Sequence, residues 1–209
     1  MDSMLRQFFS SIGRVTAVTL VVAGSCVACS TTSSDGTNST GDISRVTLYD
    51  SLSDMSDDST TIVVGTVSSQ EVARDITKED DFTISSFSVT RVVKGTDVSP
   101  GDVVKVRQIG SAKQQTGVEM LSTDQVYLLY LTPSGLTGDL ASQYYVTGAE
   151  AGIYQDVSSP SSPSTSILKN ASQARSETAD SMSFGRVESD TGDTLPATVT
   201  LQEVDKQAQ

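Results

Sequence analysis

The sequence predicts an all-β fold, a small barrel or sandwich with one short helix. Three observations carry this prediction. Short runs rich in β-branched residues recur between Thr61 and Tyr154. Gly and Pro turn signals separate them at short spacing. The run Val126–Leu131, Val-Tyr-Leu-Leu-Tyr-Leu, is apolar on both phases, the pattern of a strand buried on two faces. A flexible N-terminal tether and a poorly defined C-terminal region flank this β-rich part.

Each element has a local reason. Leu48, Leu52 and Met55 recur three to four residues apart, which predicts a short amphipathic helix over Val46–Met55 with all three as core contacts. Thr61–Ser69 reads as a strand, and Gly65 in its middle marks a bulge, a sharp bend or a close backbone approach. Phe82–Val93 reads as a longer strand. Phe82 and Ile84 share one phase, while Phe87, Val89 and Val93 share the other, so a β-bulge is expected at Ser85-Ser86. Lys94-Gly95 ends that strand, and Pro100-Gly101 suits the centre of a type II turn. In Asp102–Ile109, Val104 and Val106 alternate inward with Lys105 and Arg107 outward. Val126–Leu131 is expected to be the most buried strand, with Tyr127 or Tyr130 finding a hydroxyl partner. After a loop over Pro133–Gly138, Tyr144–Val146 and Gly152–Tyr154 read as a last pair of strands. Ile167–Met182 has weak helical character, and Ala197–Val204 alternates like an added strand or tail. Val64, Val104, Val106, Leu129 and Leu131 are the expected core, and the folded part is long enough for one modest core.

Composition divides the chain into residues 1–28, a signal segment; 29–44, a tether; 45–156, the β-rich domain; and 157–209, a low-complexity linker with a weakly structured C-terminal region. Arg6 and Arg14 form a basic n-region, with Met4 an alternative start that would drop the unusual Asp2. The uncharged run Val15–Val22 is shorter than the roughly 20 residues of a membrane span. Small residues then lead to Cys26 and Cys29. Ser30–Ser44 is almost wholly Ser, Thr, Gly, Asp and Asn. Such a chain buries too little apolar surface to offset its ordering entropy, and reads as a coil of roughly 20 Å reach.

The segment ending at the cysteines resembles the lipobox of bacterial lipoproteins. Two registers compete. Cys26-Val27-Ala28-Cys29 has the better Val-Ala pair and the usual polar residue after it, and Ala23-Gly24-Ser25-Cys26 fits by small residues. Cys29 is therefore the expected lipidation site and Cys26 the alternative. The resemblance implies a diacylglyceryl group on that thiol, export, and a lipid anchor on the extracytoplasmic face of the cell membrane; two acyl chains anchor stably where one does not. Cleavage to a free secreted product, or an uncleaved signal anchor, are the other outcomes. Further along, Val63–Val67, Val92–Gly95, Gly101–Gln108 and Tyr127–Leu131 resemble domains of uncharacterised Gram-positive lipoproteins, and their order looks like the OB-type barrel of netrin and metalloproteinase-inhibitor modules. Inhibitors of that class use a free N-terminal cysteine and several disulfides. Both are missing here, so the resemblance implies a barrel and no inhibitory residue.

Absences narrow the chemistry. The chain has 26 acidic and 14 basic residues, a net charge of −12, and loss of residues 1–28 makes it one unit more negative. A long basic patch is thus disfavoured, and with it nucleic-acid binding and electrostatic adhesion to anionic lipid. No cysteine follows Cys29, so the domain has no disulfide and no thiolate metal site. There is no histidine, which excludes Ser-His-Asp and Cys-His machinery, and no tryptophan for a sugar platform. The acidic run Asp54, Asp57, Asp58 lacks calcium-loop spacing and reads as a solvated helix end; Glu79-Asp80-Asp81 reads as a charged loop before a strand. Asn38-Ser-Thr and Asn170-Ala-Ser match a glycosylation acceptor, an accidental match in a bacterial lipoprotein. Lys105 and Arg107 share a face and are candidate contacts for an anionic partner, although such residues more often oppose neighbouring acids. No catalytic residue, metal site or cofactor is expected. The expected function is binding in the cell envelope, to a protein or a cell-wall ligand. An assembly subunit that pairs through an open strand edge is one alternative, and a hydrolase with an unrecognised Ser or Asp site another.

Overall fold

The computed structural model describes residues 47–158, 182–187 and 192–208. The expected signal segment and tether, Cys26, Cys29, the prolines of the expected linker and nearly all of the expected helix at 167–182 lie outside the described residues. The fold is all-β. The first helix, α1, runs Leu52–Asp58 and starts three residues after Tyr49, because Ser51 is extended and its side chain accepts the Asp54 amide as an N-cap. A cap ends a helix upstream, so Leu48 falls outside it and is 56% exposed, contrary to its expected place in the core. Met55 is buried and Leu52 packs against the core.

Eight strands follow: β1 Thr61–Ala73, β2 Phe82–Lys94, β3 Val103–Ile109, β4 Val126–Pro133, β5 Gln143–Val146, β6 Ile153–Asp156, β7 Ser183–Arg186 and β8 Thr198–Thr200. Helix α2, Leu201–Gln207, closes the chain behind a Thr200–Glu203 capping box. The strands are ordered β1-β2-β3-β5-β4, and β4 pairs back to β1, so five strands close a ring, the strand number of an OB barrel. Among the described strands, only β3 and β5 pair in parallel. From β4 the sheet continues outward through β6, β7 and β8. The alternating segment at Ala197–Val204 is thus a short strand that turns into a helix.

Gly65 behaves as its position predicts. The register of β1 against β2 shifts between Val64 and Gly65, and a Cβ on Gly65 would collide with the Ser88 carbonyl and lie 2.7 Å from the Phe87 ring. The expected bulge at Ser85-Ser86 is displaced. Both serines stay in register with β1 and β3, and the extra residue is Ser68 on the partner strand. The apparent slip in phase arises because Phe82–Phe87 is buried on both faces, serines included, so apolar alternation no longer reports register there. The turn at Ser99–Asp102 forms as expected, with Gly101 at φ 100° and the Asp102 amide donating to the Ser99 carbonyl over 3.0 Å.

The apolar residues form two layers rather than the single core expected. Val63, Val67, Phe87, Val106, Leu129 and Leu131 pack inside the ring. Ile62, Val64, Leu128 and Tyr130 point the other way, against Met55, Phe184, Leu201 and Val204. Strands β1 and β4 therefore send alternate residues to both layers, which is why β4 is apolar on both phases. Tyr127 accepts a hydrogen bond from the Ser122 amide at 3.0 Å, while the buried Tyr130 hydroxyl has no hydrogen-bond partner among the described residues.

Candidate binding cleft

The sequence-predicted pair separates in the structure. Lys105 Nζ lies 2.9 Å from Ser86 Oγ and 3.7 Å from Glu71, on a partly exposed face. Arg107, expected to face solvent, is 1% exposed. Its Nη1 and Nη2 donate to the two carboxylate oxygens of Asp75 at 2.7 and 2.6 Å, its Nε donates to Gln143 at 2.7 Å, and its guanidinium lies 5.0 Å from the Phe82 ring centre. The outward face of β3 at this position is covered by the β1–β2 loop that carries Asp75. The Arg107 hydrogen bonds hold the Asp75 carboxyl below its ordinary range.

A second pair ties down the other end of that loop. Arg74 Nε donates to Asp81 at 2.5 Å, and Ser111 Oγ donates to the other Asp81 oxygen at 2.6 Å. Asp81 is buried, contrary to its reading as part of a charged loop. Burial is sustained because its carboxylate has donors on both oxygens. The Ser111 hydrogen bond, then that from Arg74, lowers its pKa. Asp80 keeps the expected loop role, with its amide and carboxylate both bonded to Thr77.

Between β3 and β4 the chain crosses one mouth of the ring without joining the sheet. Gln108 continues the inward phase of Val104 and Val106, and its side-chain amide acts as a short piece of ladder. It donates to the Glu119 carbonyl at 2.9 Å and accepts the Leu121 amide at 3.0 Å. Gln70 Nε2 donates to the Leu121 carbonyl at 2.7 Å and to Ser85 at 2.9 Å. Leu121 is thereby held buried over the mouth. Beside it opens a cleft of about 600 Å³, walled by Gln70–Val72 and Thr83 on one side and Gln115–Ser122 on the other. Its lining includes the carboxylates of Glu71 and Glu119 and no basic side chain. A further cleft of about 430 Å³ lies on the other side of Glu119–Ser122, against β6 and β7.

Residue reasoning missed Gln70, Gln108 and Asp75. Gln108 had a signal: a polar residue on the inward phase of a strand must find partners there. The sequence also contains one Ser-x-x-Lys spacing, Ser166 to Lys169, outside the described residues. Among the described residues, no three carboxylates converge as a metal site would require, and no helix is long and apolar enough to cross a membrane. No known protein family and no curated protein sequence matches the chain.

Proposed function

We propose that the chain is a lipid-anchored binding module of the cell envelope, working on the extracytoplasmic face of the membrane. The lipobox-like end at Cys29, or else Cys26, supports the location. The open cleft beside Gln70–Val72 supports binding, and it is the observation that carries this reading. Its lining presents amides, hydroxyls and carboxylates beside Val72, Val118 and Met120. Asp81, which is bonded to the cleft residue Ser111, is committed to Arg74 and Ser111, an arrangement suited to holding a surface in shape rather than to moving protons.

Intact mass and membrane partition of the protein, Cys29→Ser and Cys26→Ser test the location. A diacylglyceryl increment lost only in Cys29→Ser supports the anchor as read, and loss only in Cys26→Ser moves the mature start three residues upstream. An unlipidated protein that retains its first thirty residues overturns the reading. Cross-linking in cells then separates the binding readings: recovery of one protein in fixed ratio favours the assembly-subunit alternative over a ligand binder. Labelling of a serine by a fluorophosphonate probe would favour the hydrolase alternative instead.

A further inference from the structure

The two halves of β1 are bonded differently. Thr61–Thr66 pairs with β2 on one side and β4 on the other. Beyond Thr66, the last backbone bond on the β4 side is the Asp124 amide on the Val67 carbonyl, 3.2 Å. At Asp124, φ is 62°, and the β1–β4 ladder ends at the pair Thr66–Val126. Ser68–Ala73 keeps its ladder to β2 but, among the described residues, has no strand on its other edge, and Ser68 to Val72 are all exposed.

This edge is only partly protected. Natural edges are blunted by Lys or Pro, by bulges, by charges or by short length, and here the bulge at Ser68 and the charge of Glu71 are the devices present. Ser68–Ala73 reads Ser-Ser-Gln-Glu-Val-Ala, with no Lys or Pro, and a segment of that length spans about 20 Å of strand. Val72 shows an apolar side chain to solvent beside it. The adjoining cleft supplies charge of one sign, from Glu71 and Glu119. Lys105 is the nearest cation to Glu71, at 3.7 Å in an exposed pair, a contact weak enough for an incoming cation to replace.

We propose that Ser68–Ala73 is a β-augmentation site for an extended, basic segment of a partner protein. The partner's backbone adds a strand to β1, its lysine or arginine side chains face Glu71 and Glu119, and an apolar side chain covers Val72. The proposal rests on the binding-module reading and specifies its partner class.

The test is hydrogen–deuterium exchange on the full-length protein in detergent with three decapeptides. One alternates valine and lysine, one alternates valine and glutamate, and one is the lysine peptide with alternate backbone amides N-methylated. Protection of Ser68–Ala73 by the first peptide alone is expected. The paired substitutions Glu71→Lys and Glu119→Lys should weaken that binding by about tenfold or more, since charge reversal at both carboxylates removes the complementarity. Retained protection at Thr61–Val67 in that variant shows that it is folded. Protection centred elsewhere, equal protection by the N-methylated or glutamate peptide, or no protection at millimolar peptide overturns the proposal. A lipidated protein with an unprotected edge refutes this site alone, whereas a peptide-binding protein without lipid refutes the anchor alone.

Discussion

Replacing Asp75 by Asn removes the counter-charge of a buried guanidinium while keeping the shape of the side chain. Arg107 is 1% exposed, and its guanidinium is paired with Asp75 of the β1–β2 loop. Breaking a buried ion pair by removing one partner costs about 3–5 kcal/mol. Asp75 itself is 31% exposed, so solvent screens part of the interaction and sets the expected cost at the lower end, about 3 kcal/mol. With a urea m-value of about 2 kcal/mol/M, the unfolding midpoint falls by about 1.5 M. Arg107→Met keeps an apolar stem against Phe82 and leaves Asp75 at the surface, and its expected cost is about 1–2 kcal/mol from the lost ring contact and the unpaired Gln143 oxygen. In the double variant neither charge remains, and stability should match Arg107→Met within about 0.5 kcal/mol.

The pH dependence follows in sign. Asp75 has a lower pKa folded than unfolded, so its contribution is complete above the unfolded value near about 4 and is lost as pH falls through the folded one. The gap in urea midpoint between wild type and Asp75→Asn should stay constant from neutral pH to about 5 and close below about 4. Additive single costs, or an unchanged midpoint for Asp75→Asn at neutral pH, would refute the assignment of Arg107 as a buried, charge-paired residue.

Gly65→Ala should prevent stable folding or cost about 3 kcal/mol, because the added methyl meets the Ser88 backbone carbonyl as well as the buried Phe87 ring; thermal unfolding by circular dichroism measures it. Leu129→Ala, fully buried inside the ring, should cost roughly 2–5 kcal/mol, and equal urea midpoints for variant and wild type would exclude that placement. Gln108→Ala should free Glu119–Leu121, seen as faster exchange of the Leu121 amide and earlier proteolysis within 112–122, at a stability cost of about 1–3 kcal/mol. Asp81→Asn should remove an acid-sensitive step: its lowered folded pKa means the stabilisation present above the unfolded value is lost as pH falls through the folded one, and the variant's melting temperature should vary less over that range.

The strands were legible because their signals are local. Thr61, Phe82, Val103 and Val126 each open or nearly open the element expected of them, and the turn at Pro100-Gly101 needed only its own residues. The bulge was misplaced by a physical ambiguity. A break in apolar phase arises either from an inserted residue or from a strand buried on both faces, and Ser85 and Ser86 are buried members of a continuous ladder. The second apolar layer was hidden for a related reason. Val126–Leu131 showed that both faces of β4 are covered, but what covers the outer one comes from Phe184, Val199 and Leu201, in a stretch whose composition favours no element strongly.

The site was less legible because it is built from residues distant in sequence. Alternation placed Lys105 and Arg107 on one face correctly, yet that face is solvent at Lys105 and interior at Arg107, because a loop contributes Asp75 from 32 positions away. Run composition failed in the same way at Glu79–Asp81: averaging three acids into one charged loop missed that the last of them precedes β2 and is drawn under Ser111. Gln108 shows what the sequence does carry. Two inward valines followed at the same phase by an amide mark the level at which a barrel interior ends, since a buried amide requires partners and no strand there supplies them. The partners must then be an irregular segment crossing the mouth, and such a segment, held by side chains instead of a ladder, leaves the neighbouring strand edge open. The exposed edge of Ser68–Ala73 and the anchoring of Leu121 by Gln70 and Gln108 are thus two consequences of one feature, the departure of the chain from the sheet ahead of Asp124.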